Sequence, residues 1–438
     1  MTIRELTLSL LNDYENNGKY VNLSLSSHLA DKLSAEDRRF LTVLLYTSVE
    51  RKITYDYYIS AISGRSTDKI DPTTLNILRI GMCQIVHMDS VPDHAAVNAT
   101  VALGRNPGER SFVNGVLRQA VRLKAEDKLP LPPREKKVSR YLSVAYSFPL
   151  WLVKHFISLY GEDNTEKLLE RFNTARYTDL TVNLTRTDKE SLMRSLKEQG
   201  YSPISYVDSP LSIRLCESVN PRRIDGFDEG LFFVQDAACA ISLEALGVCE
   251  GEKIIDVCAC PGGKSFAAAI LSKNGSVTSF DIHESKLSLI TDGAARLGLS
   301  NVTADVCDAV YPNEELFASF DKVICDVPCS GLGVLGKKPD IRHRDNQSLQ
   351  NLPELQYAIL ESSVKYLKAE GTVVYSTCTL NPDENERIVE RFLSEHSEFT
   401  AVDFAVGDIS SKDGMLTLIP HVHGTDGFFI AKLRKEKI

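Results

Sequence analysis

The stretch from 251 to 264, GEKIIDVCACPGGK, constrains this chain more than any other. A short apolar run, 254–257, ends in a turn built from Pro261, Gly262 and Gly263, and a helix-forming run begins at Lys264. Strand, tight glycine turn and helix is how an open α/β sheet holds a nucleotide-like ligand, because glycine lets the backbone come close to the ligand. Three structures compete for such a turn: a cofactor turn, a ligand-free structural turn and a phosphate loop. The phosphate loop needs a glycine five residues before Gly263, and Cys258 stands there. The cofactor turn is the one carried forward.

The region after it alternates as a doubly wound sheet does. Strands are expected at 253–257, 276–280, 301–304, 321–325 and 371–376, with two more near 415–419 and 427–433. Helices are expected at 264–271, 284–297 and 353–368. Gly424 and Gly427, before FFIAKL, suggest that the last two strands form an antiparallel edge hairpin. Asp281 ends the second strand, where a carboxylate can accept both ribose hydroxyls. Asp308 follows the third strand and can face an adenine amine, with Asp305 a competitor; Asp256 is a water-mediated partner. Each acid alone could equally be a turn or helix cap. As a set they favour an adenosine ligand without separating a nicotinamide cofactor from S-adenosylmethionine, although the G-x-G-x-x-G fingerprint of the former is missing.

At 438 residues the chain exceeds one ordinary core, so two to three domains are expected. Residues 1–128 are expected to be all helical. One face of the first helix carries Leu6, Leu10, Leu11 and Tyr14. Ser34 caps a second helix that carries Phe40, Val43 and Leu44. Asp71-Pro72 opens a third with Leu75, Leu78, Arg79 and Met82, and His94–Leu103 a fourth. Gly108–Leu123 buries Phe112, Val113, Val116 and Leu117. Two uses remain open for this bundle, passive docking and RNA binding through Arg110, Arg118, Arg122 and Lys124. A proline-rich, basic boundary at 129–148 follows, then a small α+β module at 149–234, then the main domain from 235 to 438. Net charge is −9, yet residues 1–140 carry 20 Lys and Arg against 16 Asp and Glu. No apolar run of membrane length occurs, so a cytoplasmic protein with reduced thiols and no membrane partner is expected.

Chemistry is expected at two other strand ends, Asp326-Val327-Pro328-Cys329-Ser330-Gly331 and Ser376-Thr377-Cys378-Thr379. Both follow apolar strand runs, which would set both thiols beside the cofactor, and a thiolate is a soft, strong nucleophile. A zinc site is disfavoured: Cys258 and Cys260 are two apart, Cys325 and Cys329 four apart, and Cys325 lies within a strand. No metal is expected. Cys83, Cys216, Cys239, Cys249 and Cys307 are expected to be core thiols, and His28, His87, His94 and His155 structural or surface residues.

Taken together, CACPGGK (258–264), DVPCSG (326–331) and STCTLNPDENE (376–386) resemble the signature motifs of the RNA 5-methylcytosine methyltransferases. Gln235-Asp236 and Lys338-Pro339-Asp340 resemble two further family motifs. RSFVNGVLR (110–118) resembles the end of the antitermination-factor-like RNA-binding domain that marks the bacterial small-subunit rRNA branch. The resemblance implies a Rossmann-like class I methyltransferase domain, a small α+β RNA-binding module and an all-helical N-terminal domain. It implies S-adenosylmethionine as cofactor and a 16S rRNA cytosine, expected at nucleotide 967 in the standard rRNA numbering, as target. The RNA would be free or in a small-subunit assembly intermediate, and the enzyme a monomer without an obligate protein partner.

Carried over by the same resemblance, Cys378 is the nucleophile and Cys329 the residue that releases product. Asp326 holds the base, and Lys264 orients the base or that aspartate. Cys258, Ala259, Cys260, Pro261, Gly262, Gly263, Lys264, Asp281, Asp308 and Asp326 hold the cofactor. Cys260 and Val327 replace the usual alanines, Lys337-Lys338 an arginine pair, and His343 a tryptophan, which would alter one stacking contact with RNA. The alternatives are a transfer-RNA or large-subunit target, a non-catalytic assembly factor and a nicotinamide oxidoreductase.

Overall fold

The computed structural model describes residues 1–17, 33–174, 177–344 and 350–437; His28 lies outside them. Two compact units emerge. One comprises residues 1–173 with 335–344, the other 174–334 with 345–438.

In the first unit, helices Ile3–Asn17, Ala35–Glu50, Lys52–Ser63, Pro72–His87, Asp93–Val101 and Pro107–Ala125 close around one apolar core. The expected caps form: Ser34 accepts from the Asp37 amide and Asp71 from the Thr74 amide, with Pro72 in the first turn. Val43, expected on the buried stripe, is instead 40% exposed. Arg79, on the apolar face, is buried and forks onto Asp56 at 2.7 Å through both Nε and Nη2. Lys52–Ser63 was not expected as a helix. It lacks a side-chain cap and is rich in tyrosine and β-branched residues, so burial of Tyr55, Tyr58 and Ile59 outweighs its local preference. His87 is structural: its Nδ1 meets the Tyr55 hydroxyl at 2.7 Å, and burial pushes its pKa down to about 4.

Two more helices follow, Val138–Tyr146 and Leu150–Thr174; the latter is broken at Gly161, where φ is 76°. A segment from far along the chain, 335–344, belongs to this unit too. Its Arg342 is fully buried and donates to Leu335 O (3.1 Å) and Asn173 Oδ1 (2.8 Å). The guanidinium lies over the Phe148 ring and 3.6 Å from Glu50. His343 was expected to alter an RNA-stacking contact. Its Nε2 instead meets the Val49 carbonyl at 2.9 Å, and burial pushes its pKa down to about 4, so the ring packs within the unit.

The second unit starts with a four-stranded antiparallel sheet of β1 (Thr178–Val182), β2 (Pro203–Ile204), β3 (Ser212–Leu215) and β4 (Phe232–Val234), in the order β2-β3-β1-β4. Helix Lys189–Glu198 covers one face through Leu192 and Leu196. Next comes an eight-stranded sheet. Its parallel strands are β5 (Lys253–Asp256), β6 (Ser276–Asp281), β7 (Val302–Val306), β8 (Phe320–Asp326) and β9 (Leu367–Thr377). A separate hairpin pairs β11 (Ala405–Val406) with β12 (Ile409–Ser410).

β10 (Phe399–Ala401), β13 (Met415–Leu418) and β14 (Phe428–Lys435) complete the large sheet. β14 is antiparallel, as expected, but is not itself the edge: it lies between β9 and the pair β13 and β10, which share its outer side. Residues 367 and 368, expected at the end of a helix, open β9 because Leu367 pairs with Phe320.

Alternate residues of the central strands feed two different cores, as a period of two requires. Ile254, Ile324, Val374 and Ile430 face helices Ala237–Leu246, Gly263–Ser272 and Leu287–Leu297. Ile255, Val323, Val373 and Phe429 face helices Leu352–Ser363 and Glu386–Glu395. The sheet is therefore apolar on both faces, and its carboxyl edge is left for chemistry. The chain runs outward from β5 through β6 to β7, then returns to β8 on the other side of β5. A crevice at that switch point is where such sheets bind ligands.

Replacing Arg342 with alanine should lower the stability of the helical unit by about 3–5 kcal/mol, because buried Glu50 would keep only the more distant Arg51 and the Leu335 and Asn173 acceptors would lose their buried donor. Thermal melting of the full chain checks this. A shift below about 2 °C in that unit's transition would contradict it.

Candidate active site

The loop after β5 is shaped by Gly262. Its φ of 108° and the Phe266 ring, 2.4 Å from where a Cβ would sit, admit glycine alone. Helix Gly263–Ser272 starts there and carries Lys264 inward. A cavity of about 180 Å³ opens against this turn, lined among others by Gln235, Cys239, Asp256, Cys258, Ala259, Cys260, Pro261, Gly263, Lys264 and Asp326. The small sheet helps to form it: Thr181 donates to Gln235 Oε1 at 3.1 Å, and Asp179 accepts the Ala237 amide at 3.1 Å. Asp236 caps helix Ala237–Leu246.

Asp256 is buried on the cavity wall. Its Oδ2 accepts from Ser265 Oγ at 2.7 Å, while Oδ1 has no hydrogen-bond partner. Burial pushes its pKa up to about 7 against the pull of Ser265 and Lys264; the Cys258 amide lies near enough to lower it somewhat, though not in hydrogen-bonding geometry. Asp281, at the end of β6, accepts from the Cys260 amide (3.3 Å) and the His283 amide (2.9 Å). The Cys307 amide donates to the Asp281 carbonyl, which brings Asp308 alongside. Asp308 accepts from the Val310 amide at 3.0 Å, whereas Asp305 is exposed on β7. Ile282 and Val306, which follow and pair with Asp281, are 56% and 46% exposed. Two uncovered apolar side chains at neighbouring strand ends suit a flat aromatic ligand, and nothing in the local sequence marked them.

Across the cavity, Lys264 Nζ meets Asp326 Oδ2 at 2.6 Å, and Ser376 Oγ donates to Asp326 Oδ1 at 2.7 Å. The ammonium also faces the Phe428 ring at 5.2 Å. Burial opposes its charge, but Asp326 outweighs burial and raises its pKa. Asp326 is thus held from both sides.

Cys329 Sγ and Cys378 Sγ are 3.1 Å apart. The hydrogen bond to Cys378, then burial, push the Cys329 thiol well above its ordinary range. Cys239, expected as a plain core thiol, lines the cavity beside Lys264, and burial pushes it up to about 12. Cys216 and Cys249, also expected in the core, are exposed. Burial and then Asp281 push Cys260 up to about 12, which makes it a packing thiol. Among the described residues no group of three or more His, Cys, Asp and Glu side chains is arranged to hold a metal ion, and no single helix is long and apolar enough to cross a membrane.

The carboxyl edge therefore unites the turn 258–264, Asp326, Cys329 and Cys378, with Asp281 and Asp308 alongside. The Lys338-Pro339-Asp340 stretch instead lies in the helical unit. Ser376, Phe428 and Glu384 fall within stretches read from the sequence, but no role was assigned to them there, because their roles depend on partners far away along the chain.

Comparison with known proteins gives three family matches: "16S rRNA methyltransferase RsmB/F" over residues 243–434, "NusB family" over 1–122, and an RsmF/B-like "ferredoxin-like domain" over 148–221. A probable ribosomal RNA small subunit methyltransferase B of Synechocystis is 35% identical, covering 99% of this chain and 100% of that one. A Bacillus subtilis protein with the same description is 33% identical, with 99% of each covered. Among solved structures, PH0851 superposes with a TM-score of 0.78 at 26% identity, covering 99% of this chain and 98% of that one. A methyltransferase homolog from Pyrococcus horikoshii reaches 0.60 at 27% identity, covering 68% and 99%. With a glycine turn, a two-cysteine edge and relatives matched end to end, this chain belongs to the RsmB/F family of rRNA methyltransferases and is an S-adenosylmethionine-dependent RNA cytosine-C5 methyltransferase with a NusB-like helical region.

Proposed function

We propose that the protein methylates C5 of one cytosine of 16S rRNA, expected at nucleotide 967 in the standard numbering, through a covalent bond between Cys378 and C6 of the base. It would act in the cytoplasm on free RNA or on a small-subunit assembly intermediate. The observation that carries this is the 3.1 Å contact between Cys329 and Cys378 beside the Lys264–Asp326 ion pair. C5 of a pyrimidine is a poor nucleophile. Addition of the Cys378 thiolate to C6 converts the ring to an enamine-like adduct whose C5 carries the electron density. S-Adenosylmethionine, when bound, supplies the methyl group from its sulfonium. The C5 proton then passes to a base, the role suited to Cys329 as thiolate once it has given up its own proton, and β-elimination expels the Cys378 sulfur as thiolate and restores the aromatic ring. Asp326 accepts from the exocyclic amine of the base. Lys264, which holds Asp326, orients that carboxylate and supplies positive charge where the ring becomes electron-rich.

The residues present fit the cofactor. Asp256 offers an unpartnered buried oxygen for its ammonium group, the 258–264 turn lines the cavity beside it, and Asp281 suits the ribose hydroxyls. Asp308, with Ile282 and Val306, suits the adenine. RNA contact by the bundle falls to Arg118 and Arg122, exposed one turn apart on the wall of a cavity of about 600 Å³ that Asp93, His94, Val97, Asn98 and Val121 also line. Arg110 and Lys124 are less suited, since they donate to the Gly104 and Ile85 carbonyls inside the bundle.

Asp256 gives a pH dependence. Its folded pKa, about 7, exceeds the unfolded value of 3.8. The folded state therefore retains a proton that the unfolded chain releases, and stability from this group falls as pH rises from about 4 to about 7. Cofactor binding needs the ionised form, so calorimetry should show affinity rising several-fold between about pH 6 and pH 8. Asp256→Asn should weaken binding and flatten that rise. An unchanged rise would remove Asp256 from the cofactor's partners.

The two cysteines should fail differently. Cys378→Ser should abolish methyl transfer and RNA attachment, because a hydroxyl is far less ionised than a thiol. Cys329→Ala should still add to the base and transfer the methyl group but stall before elimination, so a labelled protein–RNA adduct accumulates on denaturing gels. An adduct with Cys378→Ser and none with Cys329→Ala would reverse the roles.

A further inference from the structure

Glu384 is fully buried and has no part in the steps above. It lies in the loop after β9, yet Ser330, in the loop after β8, donates to it twice: through its amide to Oε2 (2.8 Å) and through its hydroxyl to Oε1 (2.6 Å). Gln356 Nε2, on helix Leu352–Ser363, donates to Oε2 (2.9 Å) and also to the Pro328 carbonyl (2.9 Å). Asn381 Nδ2 donates to Oε1 at 3.0 Å. The Ser330 hydroxyl also meets Thr379 Oγ1 at 2.6 Å. A buried carboxylate is costly unless donors surround it, and four do so here. Those donors are not scattered. Pro328 and Ser330 flank Cys329 in sequence, and Thr379 and Asn381 follow Cys378.

We propose that Glu384 is a positioning residue, whose carboxylate ties Ser330 directly, and the Pro328 peptide through Gln356, to the loop following Cys378 and so fixes the sulfur contact needed for product release. This rests on the assignment of Cys378 as nucleophile and Cys329 as releasing group. Glu384 also adds, after the hydrogen bond to Cys378 and burial, to what holds the Cys329 thiol protonated. Substitution by glutamine keeps the shape and removes one acceptor. The Ser330 amide, Gln356 Nε2 and Asn381 Nδ2 can only donate, so an amide group turned toward any of them leaves a buried donor unpaired.

The test compares wild type, Glu384→Gln, Ser330→Ala and Cys329→Ala in the full-length protein with substrate RNA and labelled cofactor. Glu384→Gln should lower kcat by about 10- to 100-fold, the effect of one or two unpaired buried donors. KM for RNA and cofactor affinity should stay close to wild type, and a methylated covalent adduct should accumulate because elimination slows more than addition. Ser330→Ala should show the same pattern more weakly, and it decides the matter if Glu384→Gln does not fold. A residue that merely stabilised the fold would lower melting temperature and cofactor affinity along with kcat and leave no adduct. Full turnover by Glu384→Gln, or lost turnover without adduct while Cys329→Ala does form one, overturns this inference alone. No adduct with Cys329→Ala removes the assignment beneath it as well.

Discussion

The site depends on how β8 pairs with β9. Asp326 and Ser376 are partners on the last rung of that parallel ladder, and Ser376 donates to Asp326. From this shared rung the chain runs three residues to Cys329 on one side and two to Cys378 on the other. Two adjacent parallel strands that end level must release their loops side by side. The sulfur contact is therefore a consequence of strand register. Strands buried on both faces hold that register firmly, since a slip by one residue would exchange two distinct apolar cores.

Electrostatics then differentiates groups that the backbone has only gathered. Lys264 stays charged against burial because the Asp326 carboxylate faces it, and Asp326 is fixed between Lys264 and Ser376. Asp256 sits only a short way along the cavity wall and lacks such a cation contact, so burial raises its pKa into the physiological range. Within the cysteine pair, the contact with Cys378 and burial raise the Cys329 thiol. Two acids and two thiols thus take different tasks from their surroundings.

Much of this was legible in the sequence, for a physical reason. Glycine turns, short apolar strands and acids at strand ends are local patterns, so the turn at 258–264, the two cysteine loops and the positions of the main strands along the chain could be read directly. Features resting on distant partners could not. Glu384 looks like one more acid in a polar turn until Ser330 and Gln356 are seen to converge on it. Arg342 and His343 read as part of the loop after the first cysteine, but they pack against Glu50, Phe148 and Val49 in the helical unit. Helices Ala237–Leu246 and Glu386–Glu395 were signalled, by an Asp236 cap and by the spacing of Ile388, Val389 and Phe392, and went unread.

The most direct measurement traps the enzyme on RNA carrying 5-fluorocytosine at the target position. Fluorine at C5 leaves no proton to remove after methyl transfer, so any covalent intermediate persists. Peptide mapping of the trapped complex by mass spectrometry then reads which side chain is bound. The account predicts attachment of the methylated base at Cys378, with Cys329 unmodified. Attachment at Cys329, or recovery of free enzyme with no bound RNA, would contradict it.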